Sequence, residues 1–296
     1  MKVDAVFAGG GVKALAFSGA LQALKDKNIS LERVAGTSAG ALTAALIKAG
    51  YEAEEMNELF NDLDLKEFLD PRVIGDVFPF LRWLTLYRRM GLFKGDVFEK
   101  WLEQTLLKKG VRSFGDLPKG SLKMVASDIT NGRFIVLPDD LPRYGIEKET
   151  FSVAKAVRMS SSLPYFFEPV KIKDEHGVES MIVDGGVLSN FPIWLFMRKE
   201  DEKLERPVLG LRLSNEFDHI PPRKIKNGLS FLHSMFETMI KAHDQRYVTK
   251  IEAKNIIFIP VKEVKTTNFH MSDIEKAKLI QLGNKTAKEF LAKWPY

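Results

Sequence analysis

The stretch Val34-Ala35-Gly36-Thr37-Ser38-Ala39-Gly40 places one serine between two glycines, the pattern G-x-S-x-G. A serine so placed can be a nucleophile on a sharp strand-to-helix turn. Gly36 and Gly40 leave room where side chains would collide, and the following helix offers its positive end to a developing negative charge. The same serine can also serve as a helix N-cap, an ordinary use of this residue. A nucleophile needs a base. Of the five histidines, His219, His233, His243 and His270 follow Ser38, but none sits in a strand-end loop among small neighbours, and His176 falls in a turn. Asp184, in Met181-Ile182-Val183-Asp184-Gly185-Gly186, is the better candidate. It ends an apolar run, and Gly185 and Gly186 allow an unusual backbone path. A carboxylate beside a serine hydroxyl can take its proton, an effect of about 10²–10⁴-fold in rate. Asp-Gly also shapes strand-end turns without any chemistry.

A second glycine cluster, Gly9-Gly10-Gly11, stands between an apolar run and a helical pattern, which makes an anion site at a helix start. Gly9-x-Gly11-x-x-Ala14 fits the dinucleotide fingerprint loosely. That reading wants an acidic residue about 20 positions on, at the end of the next strand, where this chain has Val34-Ala35-Gly36. There is no G-x-x-x-x-G-K-[ST]. A ligand-free turn stays open. The other use is an oxyanion hole built from the Ala39 amide and the Gly9–Gly11 loop, each donor contributing about 3 kcal/mol to the transition state. Both pieces follow consecutive strands, so they can face the same end of a sheet.

The elements that must hold these residues alternate. Strands are predicted over 3–8, 31–36, 122–129, 133–138, 207–214 and 255–261. A hairpin is predicted about Glu175-His176-Gly177. Helical patterns follow Gly11 and Ser38, cover 151–161 and 228–248, and close the chain from Ser272. Continuous apolar strands between helices imply an α/β sheet covered on both faces. We find no repeat and no composition break across the 296 residues, which implies a single domain: a motif-bearing core over about 3–215, a helical insertion over about 51–110 and a C-terminal α/β extension over about 216–296. With 45% hydrophobic and 28% charged residues, the composition is that of a soluble globular chain. The longest uncharged run near the front, 34–47, is too short to span a bilayer, and no leader is evident. The absence of cysteine excludes disulfides and thiolate metal sites and suits a reducing, cytoplasmic setting. A net charge of +5 favours anionic surfaces weakly and is no nucleic-acid signature.

The stretch 77–95 sets Phe80, Trp83 and Tyr87 among Arg82, Arg88 and Arg89. Read as a helix, Trp83, Leu86 and Met90 share a face. Aromatics beside basic residues suit a lid or peripheral contact with an anionic membrane; the competing reading is a buried helix with a solvated basic edge. The lysines of the last helix, Lys276, Lys278, Lys285, Lys288 and Lys293, are expected to form a solvated face.

Taken together, "GGGVKA", "GTSAG" and "DGG" resemble the patatin-like phospholipase family, whose motifs are G-G-G-x-R/K-G, G-x-S-x-G and D-G-A/G. "ASDITNGR" (126–133), "RMSSSLPYFFEPV" (158–170) and "SNFPI" (189–193) add to the resemblance, which spans roughly residues 3 to 215 in order. Ala14 and Met159 depart from it; the first puts the exact shape of the glycine loop in question. The resemblance implies a three-layer α/β/α sandwich with a mostly parallel central sheet. It also implies a Ser–Asp dyad without histidine, with Ser38 as nucleophile and Asp184 as base. Gly9, Gly10 and Gly11 would supply oxyanion amides, and Lys13 occupies the family's basic position. The implied reaction is hydrolysis of (phospho)lipid esters through an acyl-enzyme, with no cofactor or metal. The alternatives are a non-catalytic acyl-lipid or membrane-surface binding protein on the same fold and, more weakly, a nucleotide-binding α/β protein.

Overall fold

Strand β1 (Lys2–Phe7) is buried from Val3 to Phe7, so it shows no apolar/polar alternation; it is a central strand covered on both faces. The computed structural model describes residues 1–70, 87–197, 205–213, 253–261 and 268–296, together with Ile225, Phe231, Ser234, Met235, Thr238 and Val264. β1 pairs in parallel with β2 (Ser30–Thr37) on one side and with β9 (Val208–Arg212) on the other, and β10 (Ile256–Phe258) lies parallel to β9. Asp4, inside β1, is fully buried; its carboxylate accepts the Arg33 amide at 3.1 Å, Arg33 Nε at 3.0 Å and Arg206 Nε at 3.3 Å. A buried charge needs such pairing.

Val3, Ala5 and Phe7 face the main core together with helices α1 (Leu15–Asp26) and α2 (Ala39–Lys48). Val6 and Ala8 face a smaller cluster with Ala35, Val208 and Ile256, covered by Phe191, Ile193 and Phe196. The arrangement is a three-layer α/β/α sandwich on a mostly parallel sheet, as the sequence implies.

The far side of the sheet explains how distant motifs meet. β4 (Leu122–Asp128) runs parallel to β2 through its first four residues, with Thr37 opposite Val125. β5 (Arg133–Leu137) pairs antiparallel with Met124–Asp128. β8 (Glu179–Asp184) pairs antiparallel with Ala126–Asp128, with Asp184 opposite Ala126. A strand has two edges. Since β5 holds one of them, β2 and β8 share the other, end to end. The C-terminal tips of β2 and β8 therefore meet beside consecutive residues of β4, about 3.3 Å apart along the strand. β7 (Val170–Lys173) forms the predicted hairpin with β8, its turn closed by the His176 and Val178 amides on Asp174 Oδ1.

The region 51–110 holds α3 (Ala53–Asp62) and α4 (Asp96–Leu107), and also a strand that the sequence did not announce. β3 (Gly91–Phe93) pairs in parallel with β6 (Tyr165–Phe167) as a separate two-stranded sheet. The helix expected over 77–95 falls largely outside the described residues, Phe80 and Trp83 included. Its described end, Tyr87 to Arg89, is helical and exposed; Met90, expected on the helix face, has φ 62 and ends the helix instead. The helix predicted over 228–248 also lies almost wholly outside the described residues.

The closing helix α6 (Asp273–Leu291) starts at Ser272, whose hydroxyl and the Glu275 side chain form a capping box. It packs on α1, and β10 joins the main sheet, so residues beyond 253 share the core of the first two hundred. One lysine corrects the expected solvated face. Lys276 is only 4% exposed, and its Nζ donates to the carbonyls of Asn61 (3.1 Å) and Leu63 (2.9 Å). These carbonyls end α3, where a cation is favoured. Lys278, Lys285, Lys288 and Lys293 are exposed.

Candidate active site

Ser38 follows β2 directly, with φ 55 and ψ −126. A non-glycine residue held there stores about 1–3 kcal/mol of strain, and such strain collects at functional sites. Crowding enforces the turn. A β-carbon at Gly36 would come closer than 3.0 Å to the Gly40 carbonyl, and one at Gly40 would do the same to the carbonyls of Phe7 and Ala8. Both glycines are therefore needed to bring the turn against the end of β1. Although Ser38 stands at the N-cap of α2, its side chain makes no capping bond. Its hydroxyl donates to Asp184 Oδ2 at 2.7 Å.

Asp184 sits at the tip of β8, 3% exposed. Its other oxygen, Oδ1, accepts the Gly186 amide at 2.7 Å. Burial pushes the carboxyl up from an ordinary 3.8 to about 6, against the opposing pull of the Ser38 and Gly186 hydrogen bonds. The result is a carboxylate ionised at neutral pH but more basic than an exposed one. Gly185 is required because a β-carbon there would collide with the Val125 carbonyl and crowd Thr37. Of the histidines, His176 and His270 are exposed, and the other three lie outside the described residues.

The glycine loop lies over this pair. A β-carbon at Gly9 would stand 3.3 Å from Ser38 Cβ and would clash with Asn190 Oδ1. Gly11 has φ 54 and opens the 3-10 turn Gly11–Ala14, in which Lys13 is half-buried. Among the described residues, the amides of Gly10, Gly11 and Ala39 donate to no protein acceptor. Gly9 departs from expectation. Its N–H is already given to the Asn190 carbonyl at 2.9 Å, so it contributes close approach rather than a donor.

Several contributors carried no chemical reading in the sequence. Ser160, the last residue of α5 (Val153–Ser160), accepts the Ser38 amide at 2.9 Å. The Ser162 carbonyl accepts the Asp184 amide at 2.9 Å. Arg158 is 3% exposed; its guanidinium donates to the carbonyls of Gly95 (3.1 Å), Glu168 (2.9 Å) and Lys94 and to Ser162 Oγ. Asn190 is wedged between Gly9 and Gly186. Their one sequence signal was membership in the blocks 158–170 and 189–193.

Residues 5–197 match the patatin-like phospholipase family, and the chain belongs to that family, whose activity class is lipid hydrolysis. It is 48% identical to the uncharacterized protein YqhO of Bacillus subtilis over 296 residues, all of both chains. It is 30% identical to the uncharacterized NTE family protein Rv2565 of Mycobacterium tuberculosis over 256 residues, 81% of this chain and 37% of that one. In fold it is similar to the crystal structure of VipD from Legionella pneumophila, with a TM-score of 0.56 at 18% identity over 99% of this chain and 67% of that one. No helix among the described residues is long and apolar enough to cross a membrane.

Proposed function

We propose that the protein is a serine acyl hydrolase of lipid esters that works through a Ser38–Asp184 dyad. The observation that carries this reading is the 2.7 Å hydrogen bond from the Ser38 hydroxyl to a buried carboxylate. Ser38 Oγ attacks the ester carbonyl carbon while its proton passes to Asp184 Oδ2. The carbonyl oxygen becomes an oxyanion held by the amides of Gly10, Gly11 and Ala39. Collapse breaks the bond to the alcohol, which leaves with the proton from Asp184, and the acyl group stays on Ser38. Water then repeats the sequence: it gives a proton to Asp184 as it attacks the acyl carbon, and collapse breaks the bond to Ser38, whose Oγ takes the proton back from Asp184 as the acid departs. Each step balances without a cofactor. The 146-position separation of base and nucleophile is bridged by the shared edge of β4.

A fluorophosphonate probe tests the nucleophile without knowledge of the substrate. We expect stoichiometric labelling on the peptide carrying Ser38 and none in Ser38→Ala. Labelling that persists in Ser38→Ala would remove Ser38 from the reaction.

The same reading includes docking at an anionic membrane. Tyr87 is 85% exposed beside exposed Arg88 and Arg89, and they lead into β3, where Leu92 is exposed. The partner strand β6 begins at exposed Tyr165, three residues after the Ser162 carbonyl that holds Asp184. Aromatic side chains thus stand on a strand pair connected to the site, with cationic ones just ahead of it, which suits an interface. Reversing both arginines to glutamate is expected to weaken sedimentation with phosphatidylglycerol vesicles by about thirtyfold or more, since each basic residue near such a surface is worth about 1 kcal/mol and the new carboxylates are repelled by it. Unchanged sedimentation would remove this contact.

A further inference from the structure

The end of α5 holds the backbones of both dyad residues. The Ser38 amide donates to Ser160 Oγ at 2.9 Å, and Ser160 Oγ donates to the Val125 carbonyl at 2.6 Å. Val125 is the residue opposite Thr37 in the β2–β4 ladder. The Ser160 hydroxyl thus stands between the first amide beyond β2 and the last β4 residue that β2 pairs, where the ladder gives out. A hydroxyl has one proton. Because that proton goes to Val125, Ser160 faces Ser38 only as an acceptor, and the bridge runs in one direction. Two residues on, the Ser162 carbonyl takes the Asp184 amide. Arg158 donates to Ser162 Oγ and to the Gly95 and Glu168 carbonyls, which ties this corner to the start of α4 and the end of β6.

We propose that Ser160 is a positioning residue for the nucleophile: its hydroxyl holds the Ser38 amide off the β2–β4 ladder and so keeps Ser38 in its strained turn, aimed at Asp184. The inference rests on the reading of Ser38 as nucleophile. Two consequences follow. The Ser38 amide is consumed and gives nothing to the oxyanion, which leaves that work to Ala39 and the glycine loop. Without the hydroxyl, the Ser38 amide and the Val125 carbonyl are left as donor and acceptor without their bridge. Closing that gap pulls the turn toward β4 and Oγ away from Asp184.

The test uses Ser160→Ala and the near-isosteric Ser160→Cys, which keeps the volume of this fully buried position and replaces the hydroxyl with a weak donor and acceptor. Folded protein is assayed for fluorophosphonate labelling rate, kcat and KM on a short-chain nitrophenyl ester, and the pH profile. In both variants we expect labelling and kcat to fall about 100-fold, the scale of a 1 Å misplacement, with KM held within about threefold. The Ser38 hydroxyl helps hold Asp184 ionised, so its withdrawal should also move the acid limb of kcat to higher pH. A purely structural role would not move that limb. The proposal is overturned if labelling and kcat stay within about threefold of the parent, or if kcat falls while the acid limb stays in place. Should the parent itself leave Ser38 unlabelled, the nucleophile reading fails instead, a result distinct from either.

Discussion

Asp184→Asn is expected to lower kcat/KM on a short-chain ester by about 10²–10⁴-fold and, in the same protein, to raise the melting temperature at pH 7.5 by about 5 °C. The two effects have one cause. Burial raises the carboxyl from 3.8 to about 6, so the folded chain holds this proton more tightly than the unfolded one. The sign follows directly. Below about pH 3.8 the group is neutral in both states and carries no penalty. Between pH 3.8 and 6 the unfolded state ionises first and folding is progressively disfavoured. Above pH 6 the full penalty stands, about 3 kcal/mol. Asparagine removes the charge and keeps the shape. Its oxygen can still accept the Gly186 amide, and its NH₂ can donate to Ser38 Oγ in place of accepting from it. The gain in melting temperature should therefore be largest at neutral pH and vanish toward pH 4. The parent's kcat/KM should fall as pH drops below about 6, where the base becomes protonated. Retained activity in Asp184→Asn would falsify the dyad. A variant no more stable than its parent at pH 7.5 would mean that this carboxylate is better solvated than its burial implies.

The parts of the site that the sequence disclosed are those where backbone crowds backbone. Gly36, Gly40 and Gly185 each abut a carbonyl closer than any β-carbon tolerates, so the composition of the turn carries the geometry of the turn. The β1 and β2 units, with their glycine turns and following helices, were legible for a related reason: each is local, a strand handing over directly to a helix. What joined Ser38 to Asp184 was not local. It depends on β8 running antiparallel along the stretch of β4 that β2 leaves unpaired, and no period or turn signal within either strand records that choice. The family resemblance supplied the pairing that spacing alone left open. Ser160 was illegible on other grounds. A serine near a helix end has many ordinary uses, and only the register of α5 against β4 gives this one two partners. Lys276 misled for a comparable reason: its neighbours in sequence are solvated lysines, but the carbonyls that bury it end a helix more than two hundred positions away.

Gly283→Ala is expected to destabilise the protein by about 3–5 kcal/mol, read as a fall in the urea midpoint. In an exposed helix the same change would gain about 1 kcal/mol, because alanine is the better helix former. The sign reverses here because α6 crosses α1 backbone to backbone. A β-carbon at Gly283 would lie closer than 3.0 Å to the Ala16 carbonyl, and one at Gly19 would do the same to the Ile280 carbonyl; neither neighbour is a side chain that could rotate away. The Asn284 side-chain Nδ2 also donates to the Gly19 carbonyl at 3.1 Å across the crossing. Relief requires the helices to separate, which opens the contact that buries Phe17, Leu24, Leu279, Ala287 and Leu291. The disturbance would not stay there. The glycine loop runs into α1 through a single 3-10 turn, so a shift of α1 moves the amides of Gly10 and Gly11 relative to Ser38. Gly283→Ala should accordingly lose esterase activity at temperatures where it is still folded, although residue 283 lies well beyond the 5–197 stretch that carries the family motifs. A variant as stable as its parent would show that the two helices can part freely, and with it that the C-terminal helix is an appendage to the core instead of one of its layers.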